Sequence, residues 1–186
     1  MTDEELKWNI ESSEELLETP VFNVLKQHET AAGGLSGDYI ALESPECVVI
    51  IPEYGENFVL VRQWRHGKGA LTTEFPGGVI AFGEDPSEAA YRELLEETGF
   101  KAGRLTCLGR VNPNPALFRS RFYVFLAREL EPTGQTHPDS DELIAVQLRP
   151  MDEVIASFGS EEFSHAFMGT ALAFYLRQKK NQEDQV

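Results

Sequence analysis

The chain has 186 residues, 41% of them hydrophobic, and carries 31 Asp and Glu against 16 Lys and Arg, a formal net charge of −15. That length supports one sizeable core and is short for two. So acidic a surface, with no basic run, argues against binding nucleic acid by neutralising its phosphates, and any phosphate-bearing ligand needs a cation as go-between.

The opening "MTDEELKWNIESSEELLETP" has acids where a secretory signal has bases and lacks an apolar stretch, so export is not expected. The longest apolar run, "CVVII" at 47–51, is the size of a strand, far below the roughly 18 to 20 residues of a membrane span. A soluble, cytoplasmic chain is expected, with Cys47 and Cys107 as buried thiols.

Residues 1–19 are acidic and only weakly periodic, and "PVFNVLKQHE" (20–29) reads as a strand ending at the Gly33-Gly34 turn. "GDYIALE" (37–43), "CVVIIP" (47–52) and "NFVLVRQW" (57–64) follow as strands separated by turn residues, which predicts a β-meander. Over 85–98 the period changes, with Ala89, Ala90, Leu94 and Leu95 at helical spacing. Asp85 suits the N-cap, Pro86 the first helical position and Glu88 the third, from which it can reach back to the cap, while Gly99 is a left-handed stop. Strands resume at 104–111, 121–129 and 142–150. A short helix "MDEVIASF" and a longer one, "SEEFSHAFMGTALAFYLRQKK", close the chain, with fraying expected after Lys180. One helix inside a mixed sheet and another at its end predict an α+β fold with α/β/α layering.

At 100° per residue, Glu97 lies about 40° from Glu93 and Glu96 about 60° to its other side, so the three carboxylates share a helix face. In open water such neighbours cost only about 0.2–0.5 kcal/mol per pair, and a solvated face tolerates that. The preceding "FPGGVIAFGE" is apolar and glycine-rich and should shelter the face. Two charges about 6 Å apart then repel by roughly 3 kcal/mol at an effective dielectric of 20, and a divalent cation relieves this. Oxygen-only donors point to Mg²⁺, with Mn²⁺ as the alternative, and His28, His66, His137 and His165 are too scattered to suggest zinc.

Gly78, Glu84, Arg92-Glu93-Leu94, Glu96-Glu97 and Gly99-Phe100 stand at the spacing of the Nudix box, with every fixed position matched. The chain therefore resembles the Nudix hydrolases, α/β/α sandwich enzymes that cleave nucleoside diphosphates linked to another moiety. The resemblance implies Glu93 and Glu97 as principal metal ligands, Glu96 and the Gly77 carbonyl as supporting ones, and Glu84 joining through water. Arg92 is implied as the residue that pairs with carboxylates, Glu88 and Glu96 among them, and holds the turn in shape.

"LVRQWR", "EFPGG" and Pro115 resemble the ADP-ribose pyrophosphatase group, which implies hydrolysis of ADP-ribose and related nucleoside diphosphate sugars to a nucleoside monophosphate and a sugar phosphate. It also implies an intertwined homodimer: residues 1–45 as N-terminal strands exchanged between subunits, 46–180 as the Nudix domain and 181–186 as a frayed tail. Trp8 matches an aromatic that stacks on the base, or else packs at the dimer interface. Arg65 matches an arginine that reaches the diphosphate, with a surface salt bridge as its alternative. Glu142 is the preferred general base in the acidic loop "HPDSDELIAV", with Asp139 and Asp141 as competitors. In "ALFRSRFY" the chain departs from many ADP-ribose enzymes. Arg119 and Arg121 there either contact the distal sugar or a phosphate, or alternate with Phe118, Phe122 and Val124 on a strand. GDP-mannose hydrolysis and a non-catalytic nucleotide-sugar sensor are the rival readings.

Overall fold

The computed structural model describes residues 1–137 and 143–184. They form two units, Met1–Pro45 with Asn112–Arg121, and Glu46–Val111 with Phe122–Val186. The first begins with the short helix α1 (Asp3–Leu6), capped reciprocally by Thr2 and Glu5. Strands β1 (Trp8–Glu18), β2 (Asn23–Ala31) and β3 (Ser36–Glu43) follow as an antiparallel sheet in the order β1-β2-β3. β1 was not assigned from local pattern because all of its 11 residues are exposed, so no buried face imposes alternation on its sequence. The later segment of this unit turns on Asn112 and Asn114, whose side chains accept from the backbone N–H two residues on. It then bonds to β3, with Leu42 N–H donating to Leu117 O at 2.7 Å and Arg119 N–H to Leu42 O at 3.0 Å.

The second unit contains β4 (Cys47–Tyr54), β5 (Asn57–Arg65), β6 (Ala70–Glu74), α2 (Pro86–Thr98), β7 (Phe100–Val111), β8 (Phe122–Pro132), β9 (Ala145–Pro150), α3 (Met151–Ser157) and α4 (Ala166–Glu183). Its sheet runs β6-β5-β4-β8-β7, with β9 paired to β5, and is mixed: β4 lies parallel to β8 while the other pairs are antiparallel. The meander expected over 20–64 is therefore broken after Glu43, since β3 pairs with β2 whereas β4 pairs with β5 and β8. The physical reason lies in "CVVIIP". Residues 48–52 are all buried, as suits a central strand covered on both faces.

Alternate residues of β4 serve different layers. Val48 and Ile50 join Ala89, Ala90 and Leu94 of α2, while Val49 and Ile51 join Phe58, Leu60, Leu172 and Tyr175 against α4. A helix thus covers each face of the sheet, the layering expected from sequence. Leu94 and Phe100 are core as read. Two details differ. α4 extends past Lys180 to Glu183, and β6 is a strand that the sequence pattern does not mark. Among the described residues, no helix is long and apolar enough to cross a membrane.

The segment from Pro76 to Ile80 positions the site. Ile50 N–H donates to Pro76 O, Val48 N–H to Gly78 O and Ile80 N–H to Glu46 O, each at 2.9 Å, so the segment lies along the edge of β4. The glycines are there for closeness: a methyl group on Gly77 would overlap the carbonyl of Val48, and one on Gly78 the carboxyl of Glu93. α2 then starts where expected, with Asp85 accepting from Ser87 N–H at 2.8 Å, and stops at Gly99, whose φ is 70°.

Candidate active site

A cavity of about 580 Å³ opens in the second unit between the Gly77-Gly78 segment, α2, the β5–β6 hairpin and the start of α4. One wall is acidic. Glu97 is only 3% exposed and accepts from Gly77 N–H at 2.8 Å. Arg92 gathers the others: its Nη1 donates to Glu93 at 2.7 Å and to Glu96 at 3.1 Å, and its Nε and Nη2 donate to Glu84 at 2.9 and 3.0 Å. A further bond from Nη2 to Val79 O, at 3.0 Å, ties this cluster to the glycine segment. The Arg92 bonds, and next the Ala81 N–H, pull the Glu84 carboxyl down to about 2, and Glu84 foremost holds the guanidinium above its usual range. Cys47 also lines the cavity, where burial first and Glu93 second push its thiol up.

Do these residues suit a divalent cation? Among the described residues no three His, Cys, Asp or Glu side chains stand arranged to hold one, and Glu84, Glu93 and Glu96 each bond to Arg92. The chemistry of the donors nevertheless fits. They are all oxygens, which suits a hard cation, and four carboxylates against one guanidinium leave negative charge in excess in a sheltered place.

The other wall holds an ion pair. Glu74, at the end of β6, has a side chain just 3% exposed and accepts from Arg65 Nε at 2.9 Å and Nη2 at 2.7 Å. The Thr72 hydroxyl also donates to it. Burial pushes the Glu74 carboxyl up, but Arg65, His165 and Thr72 together more than offset it, and the group rests below the usual value. His165 caps α4: its Nδ1 accepts from Phe167 N–H at 3.2 Å, so the ring proton sits on Nε2, 3.9 Å from Glu74. Burial lowers the imidazole against the pull of Glu74.

The sequence matches the NUDIX domain model over residues 45–168, which takes in both walls. The chain belongs to the NUDIX domain family. It is 31% identical over 133 residues to the ADP compounds hydrolase NudE of Escherichia coli (strain K12), covering 72% of this chain and 70% of that one. With the ADP-ribose pyrophosphatase of Bacillus subtilis (strain 168) it shares 26% identity over 171 residues, 91% of this chain and 92% of the relative. A crystal structure of an ADP compounds hydrolase superposes with a TM-score of 0.85 at 27% identity, covering 95% of this chain and 96% of that one.

On this Nudix fold, Gly77, Arg92, Glu93, Glu96, Glu97 and Arg65 come together around one cavity. Arg92 takes Glu84 as its main partner, not the Glu88 expected from helical spacing, because the loop before α2 brings Glu84 back to it. Trp8 and Arg119 fall in the first unit. Trp8 meets Tyr39 edge-on, with ring centroids 5.4 Å apart, and Arg119 pairs with Glu43 at 3.5 Å. Arg119 and Arg121 precede β8, which begins only at Phe122, yet they alternate as expected: both are exposed while Phe118 is partly buried and Phe122 and Val124 are buried. Glu142, Asp139 and Asp141 lie outside the described residues. Cys107 is exposed and Cys47 partly so, a correction to the reading of both as buried. Sequence reasoning missed Glu74 and His165. Glu74 sits inside "EFPGG" with nothing in its local sequence to mark a role, and His165 is one of four scattered histidines; the two stand 91 positions apart, which hides their meeting.

Proposed function

We propose that the chain hydrolyses the pyrophosphate of ADP-ribose and related nucleoside diphosphate sugars, releasing a nucleoside monophosphate and a sugar phosphate, and that it does so with Mg²⁺ or Mn²⁺ at the acidic wall. The observation that carries this reading is the convergence of Glu93, Glu96 and Glu97 with the Gly77-Gly78 segment on one cavity. The names of the relatives supply the substrate class.

Glu93 and Glu97 would hold the cation, assisted by Glu96 and the Gly77 carbonyl, with Glu84 behind them. Such an ion, when bound, neutralises phosphate charge and lowers the pKa of a bound water. The protein's own groups do the rest. Arg92 keeps the carboxylates gathered against their mutual repulsion. Gly77 N–H fixes the direction of Glu97. Arg65 offers a cationic fork to the diphosphate, and Glu142 takes the proton of the attacking water, with Asp139 and Asp141 as its competitors for that task. Arg119 contacts the distal part of the substrate and Trp8 stacks on the base.

The working form in this reading is a cytoplasmic homodimer in which residues 1–45 are exchanged. An 11-residue strand with no buried position, carrying Trp8, Ile10, Leu16 and Leu17 into solvent, supports a partner there. The test is a ranking of kcat/KM for ADP-ribose, ADP-glucose, GDP-mannose, UDP-glucose, NADH and nucleoside triphosphates in Mg²⁺, together with the mass in solution by light scattering. ADP-ribose or another ADP-sugar should rank first. Turnover of triphosphates alone would reject the substrate class, preference for GDP-mannose would reassign it, and binding without turnover would favour a sensor.

A further inference from the structure

Arg65, Gln63, Thr72 and Glu74 lie on the same face of the β5–β6 hairpin, because Gln63 pairs with Thr72 and side chains alternate along each strand. Arg65 itself pairs with Ala70, at the far end of the ladder from Glu74, which opposes Val61. The guanidinium therefore folds back along the sheet to reach Glu74 with two N–H groups. This contact joins unequal partners. The carboxylate is nearly sealed from water, whereas the arginine is 41% exposed and lines the cavity.

Removing a carboxylate from water is costly, and an apolar side chain of similar volume often serves a core as well or better. Core packing therefore does not explain why Glu74 is there. What Glu74 does is restrict Arg65. An arginine on a cavity wall samples many rotamers, and that freedom is lost when it grips a ligand, so fixing it beforehand favours binding and alignment. The Thr72 hydroxyl fixes Glu74 from one side, and His165, itself fixed by Phe167 N–H, stands on another.

We propose that Glu74 is a positioning residue: it acts through Arg65, holding the guanidinium where it receives a phosphate oxygen of the substrate. This rests on the reading of Arg65 as a phosphate-binding group. A double-mutant cycle tests it, using Arg65→Ala, Glu74→Gln and the double variant in the full chain, with kcat/KM for ADP-ribose in Mg²⁺ and, as a readout free of turnover, the Kd of ADP-ribose in EDTA. Thermal melts of all four proteins accompany it. Glu74→Gln is close in shape and should lower kcat/KM by about 10–100-fold, while the same change made on top of Arg65→Ala should alter it by less than about threefold.

Glu74→Gln at wild-type activity, or losses that multiply in the double variant, would overturn the positioning role while leaving Arg65's own role intact. Should Arg65→Ala alone keep wild-type kcat/KM and Kd, the phosphate-binding reading of Arg65 fails and the proposal with it. If Glu74→Gln does not fold, Glu74→Ala and Glu74→Leu compared in the Arg65→Ala background take its place, and recovery of the fold with no added loss of Kd supports the role.

Discussion

The two walls of the cavity solve the same electrostatic problem in opposite ways. On the β5–β6 side one buried carboxylate meets one guanidinium through two hydrogen bonds. On the α2 side Glu84, Glu93 and Glu96 surround the single guanidinium of Arg92, while Glu97 on the same wall is braced by the backbone of Gly77. A two-pronged ion pair presets a side chain. A cluster of several carboxylates in shelter attracts a cation, which is why the proposed metal falls on this wall and the proposed phosphate grip on the other.

Removing charge from the acidic wall should give the largest effect. Glu97→Gln keeps the shape and the bond from Gly77 N–H, so its melting temperature should stay near that of the wild type. Its kcat in Mg²⁺ should fall by about 10²–10³-fold, the scale of losing one transition-state electrostatic contact. A fully active variant would mean that the two walls do not differ in function.

The paired glycines sharpen the comparison. Gly77→Ala drives a methyl group into the carbonyl of Val48, which is backbone of a central strand, and should cost about 1–3 kcal/mol of stability by denaturant melt. Gly78→Ala first meets the carboxyl end of Glu93, the far end of a side chain rather than backbone. Its fold should survive while its activity falls at least tenfold. Equal stability losses in the two would show that Glu93 is as immobile as the backbone.

A half-buried carboxylate outside the cavity lining serves as the control and should give the smallest effect. Glu53 accepts from the Tyr175 hydroxyl at 2.7 Å and pairs with Arg128. Burial first and Glu53 second hold the Tyr175 phenol above its ordinary value. The folded state therefore keeps a proton that the unfolded chain loses above about pH 10, and the stability this contributes is complete below that pH and declines as pH rises beyond it. Tyr175→Phe should lose about 1 kcal/mol near neutrality and show a shallower alkaline decline, with kcat unchanged. A change in kcat would tie this cluster to the cavity.

What was legible in the sequence follows from how local the signal is. The acidic helix announced itself because cap, period and stop lie within 15 residues, from Asp85 to Gly99, and "CVVIIP" announced a strand because two-sided burial demands an unbroken apolar run. β1 was silent because nothing buries it. The Glu74–Arg65–His165 cluster was silent for a different reason: it is assembled by strand register and the entry of α4, contacts that no window of sequence contains. The preference of Arg92 for Glu84 over Glu88 belongs to the same class, since a loop decides it where helical spacing cannot.

The most direct test of the account is Mn²⁺ binding by electron paramagnetic resonance, compared in the wild type, Glu93→Gln, Glu97→Gln and Glu74→Gln. The wild type and Glu74→Gln should bind the ion with similar affinity, and both α2 variants should bind it at least tenfold more weakly. Undiminished binding in the α2 variants would contradict the claim that the acidic wall is the metal site.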